Sequence, residues 1–270
     1  MYDFHIHTTF SPDGQSSAEE YCRRAEIIGC DGICITDHLD IDYPDRRFEN
    51  REGVMLSAAQ QERLREKGYN VFRGIEAGYT ASAQQETARL LGGMKLDYVI
   101  NSVHVVDGQD PYYPEFFENK SREEAYRRYL ETVYESLDAC YDYSVVGHLG
   151  YIYRHAPYPL QVMQWREFPD LYDAILMRVI YLGKGLEVNT SSLRTSGNTM
   201  ACMSVLRRYK ELGGEIITLG SDAHAVRRLC DGFEQTRQLL LSSGMKYLAI
   251  YRDMKPEMSY IKSKNKTGYK

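Results

Sequence analysis

Tyr2-Asp3-Phe4-His5-Ile6-His7 opens the chain, and its alternation of apolar and polar residues reads as a β-strand. Successive side chains on a strand point to opposite faces. Asp3, His5 and His7 are therefore expected on one face, with Tyr2, Phe4 and Ile6 opposite, in apolar packing. Two imidazoles two residues apart on one strand face form a pre-aligned chelate for a transition metal. Taken alone, the pair reads equally well as two partly buried histidines in a terminal strand.

Working outward, short β-branched runs alternate with longer amphipathic stretches along the whole chain. Strands are expected at 2–7, 32–36, 71–76, 98–102, 144–148, 186–189 and 215–220, with an eighth at 247–250. Helices are expected at 17–28, 54–67, 81–91, 122–139, 171–181, 200–212 and 232–243. Ser121 and Glu124 have the spacing of a capping box, and Gly29, Gly68 and Gly213 sit where helices should stop. Strands that alternate with helices pair in parallel through right-handed crossovers. Seven or eight such units in 270 residues predict a closed α/β barrel rather than an open sheet. No Pro/Gly/Ser-rich linker divides the sequence, so residues 1–270 read as a single domain, with a polar, basic tail from about residue 259 expected to fray. Segments 39–52 and 105–119 read as loop insertions over the active face.

Bulk composition narrows the function classes. Hydrophobic content of 43% and charged content of 26% are ordinary for a soluble globular protein. A net charge of −5 gives no general attraction for nucleic acid or anionic membrane. No apolar run approaches the ~20 residues that span a bilayer. The N-terminus lacks the basic and apolar stretches of a secretory signal, so a cytoplasmic location is expected. Cys22, Cys30, Cys34, Cys140, Cys202 and Cys230 are scattered, with no Cys-x-x-Cys pair, and read as reduced thiols. The sequence carries no signal for oligomeric state.

In an α/β barrel, chemistry gathers where strands end and loops begin. Here those positions carry His5 and His7 followed by Asp13, then Asp37-His38, Glu76, His104, His148, and Asp222-Ala223-His224. Of the seven histidines, only His155 falls away from these strand ends. Chance placement would scatter histidines over helices and loops, so the set points to a multinuclear metal centre. Asp13 could also be a turn residue before Gly14. Asp37 could be a helix cap, or a carboxylate that orients a ligating histidine. Glu76, at the end of an apolar strand, needs a cationic partner.

This ordered set resembles the PHP (polymerase and histidinol phosphatase) family: His5-x-His7, Asp13, Thr36-Asp37-His38, Glu76, His104, Gly147-His148 and Asp222-x-His224. Within that family the length, and the stretch Glu187-Val-Asn-Thr-Ser-Ser-Leu-Arg194, look most like the stand-alone histidinol-phosphate phosphatases. The resemblance implies a distorted (β/α)7 barrel with three divalent transition-metal ions (Zn, Mn, Fe or a combination). By carry-over one ion would take His5, His7, Glu76 and Asp222. A second would share Glu76 and add His104 and His148. A third would take Asp13, His38 and His224.

The expected reaction is hydrolysis of a small phosphate monoester, foremost L-histidinol phosphate, by attack of a metal-bridging hydroxide. Glu76, Asp222 and His224 are the expected catalytic residues, and Arg154 and Arg194 the expected phosphate clamps. Three carboxylates against three divalent ions leave about +3, which suits a phosphate dianion. Related phosphatases often carry an acidic residue two positions after the equivalent of His148, where this sequence has Gly150. The alternatives are another small phosphate ester or nucleotide as substrate, or an amidohydrolase-type C–N hydrolase. Amidohydrolases usually bridge two metals with a modified lysine, where this chain offers Glu76. A family nuclease is disfavoured by the acidic charge and the lack of a basic stripe.

Overall fold

A computed structural model describes residues 1–261; the side chains of Arg194 and Thr195, and residues 262–270, lie outside the described residues. Seven parallel strands follow one another around a near-closed barrel: β1 (Tyr2–Ile6), β2 (Gly32–Ile35), β4 (Val71–Gly78), β5 (Tyr98–Ser102), β6 (Val145–Val146), β7 (Gly185–Asn189) and β8 (Ile217–Gly220). A two-residue strand, β3 (His38–Leu39), pairs with the end of β4 and sets His38 opposite Glu76. The crossovers are carried by α1 (Ala18–Ile28), α2 (Arg51–Glu66), α3 (Gln84–Gly92), α4 (Arg122–Ser136), α5 (Pro169–Tyr181), and α6 (Leu193–Ser196) with α7 (Met203–Glu211); α8 (Phe233–Ser242) follows β8. Ser17 and Ser121 form capping boxes with Glu20 and Glu124, which fix where α1 and α4 begin.

The barrel closes through backbone that follows β8. The Asp222 amide donates to the His5 carbonyl at 2.8 Å, and the His7 amide to the Ala223 carbonyl at 2.9 Å. Asp222 has φ 52, in the left-handed region that an aspartate tolerates better than most residues. Gly220 is required just before it: a Cβ there would lie 2.5 Å from the His5 Cβ and 2.6 Å from a Glu187 oxygen. The seam of the barrel and the loop that carries Asp222 and His224 are thus the same few residues.

Strict alternation along β1 is not realised. Its register against β2 shifts between Asp3 and Ile6, a bulge that changes which face each residue takes. Phe4 packs inside the barrel, its ring 5.0 Å from Phe72 and 5.1 Å from Tyr98 of the non-adjacent β5. Ile6 instead packs with Ala18, Tyr21 and Ala25 of α1. Asp3 does not join His5 and His7. Its carboxylate accepts from the Ser221 and Cys230 amides, both at 2.9 Å.

The eighth predicted strand also takes a different place. β9 (Tyr247–Arg252) pairs antiparallel with β10 (Lys255–Tyr260), outside the barrel sheet. Ala249, Ile250 and Tyr251 pack on Phe4, Phe72 and Tyr98, so the hairpin closes the end of the barrel away from the strand C-termini. Of the tail expected to fray from about residue 259, Ser259 and Tyr260 belong to β10 and the buried Ile261 donates its amide to the Lys246 carbonyl; the rest lies outside the described residues. No helix among the described residues is long and apolar enough to cross a membrane.

Asp97, before β5, ties this hairpin to the barrel. It accepts from the Arg73 guanidinium at 3.0 and 3.2 Å, from Arg65 at 2.7 Å, and from the Arg73 and Asp253 amides. Burial pushes its carboxyl up, but the Arg73 hydrogen bonds outweigh this and hold it below the ordinary carboxylate range. Asp97→Asn leaves a buried guanidinium poorly paired, which costs about 3 kcal/mol. A fall in melting temperature of at least roughly 5 °C is expected near neutral pH. Because the folded carboxyl is depressed, its contribution is full above about pH 4 and fades as acid titrates it. The gap between variant and parent should therefore narrow in acid.

Candidate metal centre

At the C-terminal ends of the strands His38, His104, His148 and His224, with the three expected carboxylates, line one cleft of about 410 Å³, and His5 and His7 are buried against Glu76 and Asp222. His5 Nε2 and His7 Nε2 stand 3.0 Å apart. Glu76 Oε2 is 3.2 and 3.4 Å from these nitrogens, and Asp222 Oδ1 is 3.7 and 3.3 Å from them. Four donor atoms so spaced approach the edges of a tetrahedron, roughly 3.3 Å long for metal–ligand bonds of about 2.0–2.1 Å. The other carboxylate oxygen, Glu76 Oε1, lies 2.8 Å from His148 Nε2 and 3.3 Å from His104 Nε2, which are 3.3 Å from each other. Glu76 therefore presents one oxygen to each of two donor groups, and Ser102 Oγ donates to it at 2.7 Å. At the mouth, Asp13 Oδ2 is 3.0 Å from His224 Nε2 and 3.8 Å from His38 Nε2. Among the described residues, four overlapping groups bring one ligand atom each within 4.8 Å: three join histidines to Asp222, Asp40 or Glu76, and the fourth is His7, His38 and His224.

The way these rings are held suits metal ligation. A ligating histidine usually gives its second nitrogen to a carboxylate or carbonyl, which fixes the tautomer. His5 Nδ1 meets Glu187 Oε1 at 2.5 Å, and His104 Nδ1 meets Asp40 Oδ1 at 2.6 Å. His38 Nδ1 lies 3.1 Å from Asp40 Oδ2, and His224 Nδ1 is 3.0 Å from the Asp222 carbonyl. His148 is the exception: its Nδ1 is buried without a partner. Packing so many imidazole nitrogens and carboxylate oxygens within 3–4 Å leaves few protons to share, and a cation of mixed N/O preference fits the set.

Electrostatics follow from that crowding. Burial pushes Glu76 up, yet the facing His5, His104 and His38 rings outweigh it and hold the carboxyl well below its usual range. Burial pulls His5 down, while Glu187 and Glu76 drive it well above its ordinary value. His7 is held down to about 3 by burial and by the stacked His224 and His38 rings, so it stays a neutral donor.

Two carboxylates in this network fell outside the sequence-expected site. Asp40 lies in the segment expected to be a loop, yet it clamps both His38 and His104. Its His38-x-Asp40 spacing repeats that of the opening histidine pair, and was the available signal. Glu187 holds His5 and accepts from the His148 amide at 2.8 Å. With these two carboxylates counted, a three-ion centre would carry about +1 rather than about +3. Asp37 neither caps a helix nor touches a histidine ring. It accepts from the Thr8 amide and from the Thr8, Ser11 and Ser57 hydroxyls, pinning the Thr8–Asp13 turn to the end of β2.

The remaining expected residues divide. Arg154 reaches the centre, its Nη1 3.6 Å from Asp222 Oδ2. Arg194 lies on α6, with its side chain outside the described residues. His155 stands apart from the donors, its ring 4.1 Å from Tyr112. Gly150 could not be acidic on this backbone, since a Cβ would meet the Tyr153 ring at 2.1 Å and the Met200 carbonyl at 2.5 Å. Both loop insertions reach the cleft, the first with Tyr43, Arg47 and Phe48, the second with Asp110, Tyr112 and Tyr113. Asp110 is a cleft carboxylate held by the Tyr43 and Tyr151 hydroxyls and the Tyr112 amide, rather than by a histidine.

Comparison with known proteins places this geometry. Residues 3–191 match the PHP domain. The chain is 28% identical to the histidinol-phosphatase of Lactococcus lactis over 260 residues, 94% of this chain and 95% of the relative. It is 29% identical to a probable histidinol-phosphatase of Clostridium acetobutylicum over 225 residues, 83% of this chain and 86% of the relative. The solved Lactococcus histidinol phosphate phosphatase, complexed with zinc, L-histidinol and phosphate, superposes with a TM-score of 0.86, covering 95% of this chain and 98% of that one. A Listeria monocytogenes structure with a TM-score of 0.76 covers 87% of this chain and 99% of that one; at 19% identity it speaks for the fold alone. The family match spans well over half of the sequence and coincides with the barrel that carries the donor cluster: the chain belongs to the PHP domain family.

Proposed function

We propose that this protein is a metal-dependent phosphoric monoester hydrolase that converts L-histidinol phosphate to L-histidinol and phosphate in histidine biosynthesis. One observation carries the reading: the buried Glu76 carboxylate offers an oxygen to each of two imidazole groups at the floor of a cleft that Arg154 lines. The Lactococcus relative, crystallised with L-histidinol and phosphate, supports the choice of substrate. We read the whole chain, residues 1–270, as one cytoplasmic domain with no nucleic-acid or membrane partner, in keeping with its net charge of −5.

Three divalent ions fit the donor set. His5, His7, Glu76 and Asp222 would hold one; Glu76, His104 and His148 a second; Asp13, His38 and His224 a third. Zn, Mn and Fe all suit such mixed ligation. When bound, the ions supply charge neutralisation for the phosphate and lower the pKa of water toward neutrality.

The chain's own groups set the direction of approach. His5, His7 and Glu76 are sealed from solvent, whereas the side chains of Asp13 and His224 are 40% and 24% exposed. Phosphate therefore enters from the Asp13–His224 side. With Asp40 and Glu187 taking up most of the positive charge, Arg154, and Arg194 as read from the sequence, carry more of the phosphate binding. Arg154 also faces Asp222, which keeps its guanidinium directed at the centre. Asp110, among the tyrosines of the cleft, offers a negative group to the cationic leaving alcohol.

Four outcomes test this reading. Against a panel of phosphomonoesters, L-histidinol phosphate should show the highest kcat/KM, and Arg154→Ala should raise KM for every member. Preference for another ester would move the substrate, and amide hydrolysis alone would overturn the reaction class. Glu76→Gln should lower metal content, measured by elemental analysis, and cut turnover by at least about 100-fold with the far-UV spectrum unchanged. Asp40→Asn, acting through His38 and His104, should weaken metal retention against a chelator by about 10–100-fold.

A further inference from the structure

Cys30 and Cys230 are separated by 200 residues in sequence, yet their sulfurs lie 3.3 Å apart. Cys30 ends the turn before β2, and Cys230 lies between the His224 loop and α8. Neither is a core thiol: both are partly exposed, while Cys22, Cys34 and Cys202 are buried. Cys30 also lines a surface cleft of about 220 Å³, beside Asp31 and Tyr69. The Cys230 thiol donates to the Cys30 sulfur, whose own proton is directed at the Met1 and Gly32 carbonyls at 3.2 and 3.3 Å. We propose that Cys30 and Cys230 form a reversible dithiol–disulfide latch, closed by hydroperoxides and opened by thiol reductants.

The chemistry balances with one hydroperoxide. The Cys30 thiolate attacks the outer peroxide oxygen, breaks the O–O bond and becomes a sulfenic acid, while the leaving alkoxide takes a proton to give the alcohol. Cys230 sulfur then attacks the sulfenic sulfur, and its proton leaves with the hydroxyl as water. Two thiols lose two electrons and the hydroperoxide gains them. The hydrogen bond from Cys230 lowers the Cys30 thiol below its ordinary value, which favours Cys30 as the attacking group and Cys230 as the resolving one.

The latch has a structural target. The Cys230 amide donates to Asp3, which also accepts from the Ser221 amide at 2.9 Å and its hydroxyl at 2.5 Å. Ser221 immediately precedes Asp222, whose amide closes the barrel on His5. A disulfide would bolt this seam to the start of β2. It would also close a loop of 200 residues, which restricts the unfolded chain most when the loop is long. Neither sulfur lines the cleft of the metal centre, so the latch acts on stability rather than on the reacting groups.

The test treats the full-length, metal-loaded protein with hydrogen peroxide, blocks free thiols by alkylation in denaturant, and maps peptides by mass spectrometry. A Cys30–Cys230 cross-linked peptide that disappears on reduction is expected, together with a higher melting temperature in the oxidised protein. Cys230→Ser should leave a sulfenic acid at Cys30 that dimedone captures, and Cys30→Ser should leave none at Cys230. The proposal is overturned if both cysteines are recovered alkylated, if Cys30 oxidises further without cross-linking, or if the cross-link forms and the melting temperature does not rise. Should either variant fail to fold, peptide mapping of the parent protein still decides.

Discussion

A buried carboxylate at the end of an apolar strand is costly unless positive charge meets it from several sides. Glu76 is that carboxylate, and the arrangement around it follows from satisfying it. β3 exists as a two-residue strand whose pairing with β4 sets His38 opposite Glu76. β5 supplies the Ser102 hydroxyl, the segments after β5 and β6 supply His104 and His148, and β1 supplies His5. Each ring that turns a nitrogen toward the centre then needs a partner for its other nitrogen. Asp40 and Glu187 meet that need for three of the rings. Fold and candidate site are coupled at the same residues, since the Asp222–His5 and Ala223–His7 backbone bonds that close the barrel involve three members of the donor cluster, His5, His7 and Asp222.

This coupling explains what was legible in the sequence and what was not. Strand-end histidines stand out because a parallel barrel gathers strand C-termini on one face, so a linear order of residues becomes a ring of donors. The strands and helices were readable because apolar periodicity and capping residues such as Ser17 and Ser121 act locally. The β1 bulge was not readable, since nothing in Tyr2–Ile6 departs from alternation; the shift comes from pairing with β2 and from Asp3 serving the Ser221 and Cys230 amides. The β9–β10 hairpin likewise has strand propensity without a statement of partner. Its place is set by Tyr98 and Phe72 filling the barrel beneath it.

Site chemistry shows the same division. Donor types and their order are sequence properties, and the His38-x-Asp40 spacing was a local signal, whereas Glu187 acquires its role only from proximity in space. The presence of Asp40 and Glu187 changes the electrostatic account: on the proposed reading, the two added carboxylates offset metal charge, and phosphate binding would rest more on guanidinium groups such as Arg154. Gly150 gives a further case. The absence of the acidic residue that the family resemblance led one to expect there has a packing cause, because the Tyr153 ring and the Met200 carbonyl occupy the space a side chain would need.

On the proposed reading Glu76 would sit between two metal ions, with a third held at the mouth of the cleft. Anomalous diffraction at the zinc, manganese and iron edges, from crystals of the purified protein, addresses it most directly. Three peaks are predicted, two flanking the Glu76 carboxylate and one among Asp13, His38 and His224. A single peak, or peaks that leave Glu76 uncoordinated, would contradict it.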